Sequence, residues 1–273
     1  MKLIYSKKIA VNNIKKRGYY VFKSVFTKKY IEKLHNLIKN QKSYGQSGFF
    51  NNSKLDSKAV LNLQSKHVEF IKLLQNKIIC TINKELLNDK YYKSLNSKLP
   101  NYTLCQYAAR SAGKSKLVLH IDDKVPSNSE NINYLQWAIP MIDLTKRNGC
   151  TQVLPGSHKY GMLKPALKKK HKLKDLTLKA GDMVVWDGRI WHSARPNIKA
   201  LDRWAVIITF SKWFFKPHYD IPRSFPKNFY KYLKKELKII LGFASIPKFS
   251  EKSGITQRGD LTSANKFLKN RIY

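Results

Sequence analysis

Between residues 102 and 214 the chain breaks into short apolar or alternating runs, at 102–108, 116–121, 133–144, 151–154, 175–178, 182–187 and 203–214, separated by Gly, Pro, Asn and Asp. No helix-length segment fits between successive runs. That excludes βαβ units and leaves an antiparallel sandwich or barrel as the reading of the middle of the chain. The stretch "YGMLKPALKKKHKLKD", residues 160–175, reads as a basic loop within it.

The flanks carry a different period. Residues 18–40, "GYYVFKSVFTKKYIEKLHNLIKN", predict a short strand and then a helix capped by Thr27, with Ile31, Leu34 and Ile38 on one face. Residues 66–88 predict a second helix through Val68, Ile71, Ile78, Ile79, Ile82 and Leu86, and 41–59 between the two read as a polar loop. After 216 the chain is Pro-rich and irregular, with one amphipathic helix around "NFYKYLKKELKIIL". There is no internal repeat and no composition break. A single domain over 1–273 is expected, mainly β with flanking helices: a helical flank at about 15–90, a β-core at about 100–215 and a tail over 216–273.

An apolar content of 42% in 273 residues is ample for a buried core, so a wholly disordered chain is excluded. No apolar run reaches the roughly 18 residues of a membrane span, and the N-terminal segment has neither a sustained apolar region nor a small-residue cleavage site. The chain therefore reads as soluble and cytoplasmic. Cys80, Cys105 and Cys150 are odd in number and form no CxxC pair, which argues against both a disulfide framework and a thiolate zinc site. The balance of 53 basic against 17 acidic residues, +36, implies anionic partners. Because the lysines are spread along the whole chain, no dedicated nucleic-acid face stands out.

The chemistry is concentrated in two places. In "LVLHIDDKVP", residues 117–126, strand alternation puts His120 and Asp122 on one face and turns Ile121 and Asp123 to the other. Alone, such a pair is a common accident. In "KAGDMVVWDGRIWHSARPNIKALDRWAVIITF", residues 179–210, an apolar strand ends at Trp186, a tight turn follows, and His192 begins the next segment. Eleven residues on (203 − 192 = 11), Arg203 opens an alternating strand. Two histidines and one carboxylate make a facial triad that leaves three positions of an octahedral iron open, and an arginine can hold a carboxylate with two parallel hydrogen bonds.

The order of HxD, "LPGSHK" at 154–159, "GDMVVWDGRIWHSARPN" and the downstream arginine resembles the phytanoyl-CoA dioxygenase family of Fe(II)/2-oxoglutarate oxygenases, and the resemblance runs from about 15 to 215. It implies a double-stranded β-helix, or jelly roll, in agreement with the strand reading. It also implies that His120, Asp122 and His192 bind Fe(II), that Arg203 holds the distal carboxylate of 2-oxoglutarate with Ser193 and Gln106 as helpers, and that O2 is consumed. Asp122, where a halogenase needs a small residue, points to hydroxylation. His158 is expected to be a turn residue, and Trp137, Trp186, Trp191 and Trp204 to be core. The expected substrate is a small molecule; the loop with Lys164, Lys168, Lys169, Lys170, Lys172 and Lys174 reads either as a contact for a phosphate or CoA group or as a solvated surface loop. The competing reading, resting on charge alone, is a basic jelly-roll protein that binds nucleic acid or an anionic membrane and keeps a vestigial metal site.

Overall fold

The computed structural model describes residues 5–45, 57–88, 98–123, 125, 127, 129–160, 172–199, 202–248, 252 and 261. In chain order its elements are α1 (Lys7–Arg17), β1 (Tyr19–Phe22), α2 (Lys28–Lys39), β2 (Tyr44–Gly45), β3 (Lys58–Leu61), α3 (Val68–Leu74), α4 (Lys77–Leu87), β4 (Tyr102–Ser111), β5 (Leu117–His120) and β6 (Tyr134–Pro140). They continue with β7 (Thr151–Val153), β8 (Lys174–Leu176), β9 (Met183–Asp187), β10 (His192–Ala194), β11 (Trp204–Lys212), α5 (Ile221–Ser224), α6 (Lys227–Tyr230) and α7 (Lys235–Ile240). The strands form two sheets, of order β1-β9-β6-β11-β4-β3-β2 and β5-β10-β7-β8. The pairings recorded between them are antiparallel. This is the expected jelly roll. Among the described residues, no helix is long and apolar enough to cross a membrane.

The chain divides into two compact units. The first, residues 1–63 and 107–209, holds the smaller sheet and most of the larger one. Its core lies between the sheets, where Tyr19, Ala138, Val184 and Trp186 from the larger pack with Val153 and Leu176 from the smaller. β6 is buried at every residue, because it runs through the sheet interior with both faces covered. The second unit, residues 64–106 and 210–273, packs Phe70, Ile79 and Ile82 of its helices in its own core, and the Thr103 hydroxyl donates to the Ile240 carbonyl at 3.0 Å.

α2 follows its sequence closely: Thr27 Oγ1 accepts from Tyr30 N, and Ile31, Leu34 and Ile38 are the buried face. Elsewhere local chemistry departs from the reading. The helix expected over 66–88 is two, because the Asn76 side chain accepts from the N–H groups of Ile78 and Ile79 and starts α4 afresh, and His67 caps α3 rather than lying on a helix face. The helix expected around 228–241 is likewise split into α6 and α7. The polar loop expected over 41–59 contains β2 and the first two residues of β3, whose Ala59 and Val60 are buried against β4. α1 was not expected, since it buries only Ala10, Val11 and Ile14; it ends at Gly18, whose φ of +85° allows its N–H to reach Ile14 O at 2.8 Å. Of the basic loop, Lys164, Lys168, Lys169 and Lys170 lie outside the described residues.

Trp137, on β6, is fully buried and stacks on Phe22 at 5.9 Å between ring centroids. Trp137→Ala should lower unfolding free energy by about 3–5 kcal/mol, seen as a reduced urea midpoint.

Candidate metal centre

β5 ends at His120 and β10 begins at His192, and antiparallel pairing sets these two residues directly opposite each other. Their rings lie 4.2 Å apart between centroids. Each Nδ1 contacts the backbone carbonyl two residues earlier: Val118 O at 2.8 Å for His120, and Ile190 O at 3.0 Å for His192. A carbonyl only accepts, so each Nδ1 carries a proton and each Nε2 is the ring atom turned toward the centre. Both Nε2 atoms face Asp122, His120 at 3.9 Å from Oδ1 and His192 at 3.4 Å from Oδ2. One ligand atom from each of the three side chains falls within 4.8 Å of the others.

Asp122 lies beyond the end of β5, so strand alternation does not itself place it. Two contacts, one to β9 and one to the turn that follows it, do. Its N–H donates to Gly188 O at 2.8 Å, and the Trp186 indole Nε1 donates to its Oδ2 at 3.4 Å. Asp123 separates from the cluster as expected: its Oδ1 accepts from Val125 N at 2.8 Å in a local turn, and burial raises its carboxyl above the usual range. Burial, reinforced by the neighbouring His192, pushes His120 down to about 4. The imidazole is therefore neutral and competent as a ligand at neutral pH. Two imidazoles with their Nε2 atoms converging, together with the Asp122 carboxyl group, fit a divalent iron and the open positions that its chemistry needs.

The arginines of this unit sort themselves by partner. Arg189 is held by Asp187, with Nη2 at 2.7 Å from Oδ2, and Arg195 by Asp175, with Nε at 2.6 Å from Oδ1. Arg203 has no carboxylate partner among the described residues, and its buried Nε makes no hydrogen bond. Burial draws its guanidinium down to about 10, which still leaves it charged at neutral pH. Ser193 follows His192 on β10 and so points to the opposite face, where its hydroxyl donates to Gln152 Oε1 at 3.4 Å and Gln152 in turn donates to Asp175. It serves that polar row. Gln106 is half-buried on β4 and falls in the second unit.

His158 is a turn residue, as expected; its Nε2 donates to Lys15 O at 2.9 Å at the end of α1. The four tryptophans expected in the core are all buried. Lys174 places its ammonium 5.6 Å from the centre of the Tyr19 ring. The contributions of Trp186, Gly188 and Ile190 to the centre were not expected from the sequence. The inward direction of Trp186 could be read from its strand, but nothing there named Asp122 as its partner.

A model of the phytanoyl-CoA dioxygenase (PhyH) family matches residues 14–203. The chain is 28% identical over 156 residues to dioxygenase af480 of Aspergillus fumigatus, a match covering 55% of this chain and 48% of that protein. It thus spans about half the length of that relative. Among solved structures, HygX from Streptomyces hygroscopicus with nickel and 2-oxoglutarate bound superposes with a TM-score of 0.62 at 14% identity, over 78% of this chain and 89% of that one. SnoN, an epimerase from nogalamycin biosynthesis, does so at 0.58 and 16%, over 76% and 80%.

The two adjacent aspartates give opposite expectations. Asp122→Asn should weaken Co(II) binding by at least roughly tenfold, whereas Asp123→Asn should leave it within about twofold, both measured by titration calorimetry.

Proposed function

The chain belongs to the phytanoyl-CoA dioxygenase family, and on that premise we propose that it is an Fe(II)- and 2-oxoglutarate-dependent oxygenase that hydroxylates a small molecule and releases succinate and CO2. The observation that carries this reading is the His120–Asp122–His192 cluster, with both imidazoles held in the tautomer that turns Nε2 inward. When bound, iron with 2-oxoglutarate and O2 supplies an oxidant able to break a C–H bond.

The protein contributes binding and orientation. His120, Asp122 and His192 would hold the iron as its three protein ligands, and a three-ligand set of this kind would leave room for cosubstrate and O2. Arg203 would receive the distal carboxylate of 2-oxoglutarate, because a buried guanidinium with no carboxylate partner among the described residues favours an anionic ligand and its planar fork matches a carboxylate. Retention of Asp122 favours hydroxyl transfer over halide transfer. The similarity to SnoN, an epimerase, means that hydroxylation belongs to the proposal and not to the fold. The net charge of +36 favours an anionic substrate, with a phosphate or CoA group as the candidate chemistry.

Purified protein supplied with Fe(II), 2-oxoglutarate and candidate substrates should release succinate. Arg203→Lys, which keeps the charge but loses the two-pronged contact, should raise KM for 2-oxoglutarate roughly tenfold, the scale of one charge-assisted hydrogen bond. Unchanged succinate release by Asp122→Ala would overturn the reading. Absence of iron from the purified protein, together with salt-sensitive RNA or DNA binding, would favour a basic binding protein instead.

A further inference from the structure

The turn Asp187-Gly188-Arg189 takes no part in binding iron or 2-oxoglutarate on the reading above, yet it touches every segment that carries a ligand. Arg189 and Asp187 are both buried, with side chains 3% and 0% exposed. The guanidinium makes four hydrogen bonds: Nε and Nη2 donate to the Asp187 carboxylate at 3.0 and 2.7 Å, and Nη1 donates to the carbonyls of Ser127 and Ser129 at 3.0 and 2.5 Å. It therefore binds two points of the chain just past Asp122. Gly188 holds the start of the same segment, its carbonyl accepting from both Asp122 N at 2.8 Å and Asp123 N at 3.0 Å. A side chain at 188 would bring a Cβ to 2.7 Å from Tyr134 Cβ, so this close approach requires glycine. On either side of these residues, Trp186 donates to the Asp122 carboxylate and Ile190 O fixes the His192 tautomer.

A buried ion pair is weak evidence for stability, because desolvating both charges offsets most of their attraction. Its effect here lies in geometry. We propose that Arg189, locked on Asp187, is a positioning residue. It fastens the segment following His120 against the turn that leads into His192, so that Asp122 stands between the two imidazoles before any metal arrives. This inference rests on the metal-binding reading of His120, Asp122 and His192, and it concerns the metal-free protein.

Two measurements on the full chain test it. In the metal-free protein, Arg189→Gln should accelerate amide hydrogen exchange at Asp122 and Asp123. In Co(II) titrations the same variant should bind roughly 10–100-fold more weakly, the range seen when an outer support of a metal ligand is lost. The comparison is Asp182→Asn, which removes a buried carboxylate bonded to Lys23, Ser24 and Lys179 and far in sequence from the 121–129 segment. It should match the parent in both measurements even where it lowers stability. If Arg189→Gln is indistinguishable from Asp182→Asn in exchange and in Co(II) affinity, the proposal is overturned. Should Arg189→Gln fail to fold, Asp187→Asn is judged by the same two criteria. Absence of Co(II) binding by the parent would sink the oxygenase reading, and the exchange comparison would still decide the positioning role.

Discussion

The pairing of β5 with β10 is the contact on which the centre depends. These short strands of the smaller sheet meet so that His192 lies opposite His120, and cross-strand partners in an antiparallel pair hold their side chains about 5 Å apart on one face. That distance suits two ligands of one ion. Because strand side chains alternate, a register slip of one residue would turn one imidazole out of the centre and bring a neighbour in. The register is held from the other side of β10, where β7 pairs with it and buries Val153 opposite His192.

The third ligand is placed by other means. Asp122 stands past the strand, where the ladder no longer constrains the backbone, and its position comes from β9 and the turn after it, through the Trp186 indole and Gly188 O. A carboxylate continuing the strand would stand on the same face as its histidine, two residues further along. Leaving the strand lets it approach both Nε2 atoms, at 3.9 and 3.4 Å, as a third corner of the triangle that a facial set requires. The larger sheet contributes here as well as to packing, since β9, which carries Trp186, belongs to it.

Much of this was legible from residue order. Period two and the punctuation by Gly, Pro, Asn and Asp located the strands of the middle region to within a few residues, because those elements bury a face and their sequences must show it. The triad was legible because its chemistry restricts residue type and its motifs recur in one order. Elements that depend on a single side-chain contact were not. Asn76 divides a helix whose apolar pattern runs on without a break, and β3 hides in a polar stretch because only its central pair is buried. Ser193 shows the same limit at the site. Next to His192 in sequence, it looked like a helper for the cosubstrate, yet adjacency along a strand means opposite faces, and its hydroxyl serves Gln152.

The disposition of buried charge bears on what the centre binds. In the first unit the buried or half-buried carboxylates of Asp187, Asp175 and Asp182 each meet a cation, at 2.7, 2.6 and 2.8 Å. Arg189 and Arg195 are the cations of two of those pairs. Arg203 differs from both, a buried guanidinium with no carboxylate partner among the described residues. An unpaired buried charge costs several kcal/mol, far more than surface packing returns, so a fold that keeps one gains by having it met when ligand arrives. An anionic ligand would meet that demand, and a neutral one would not.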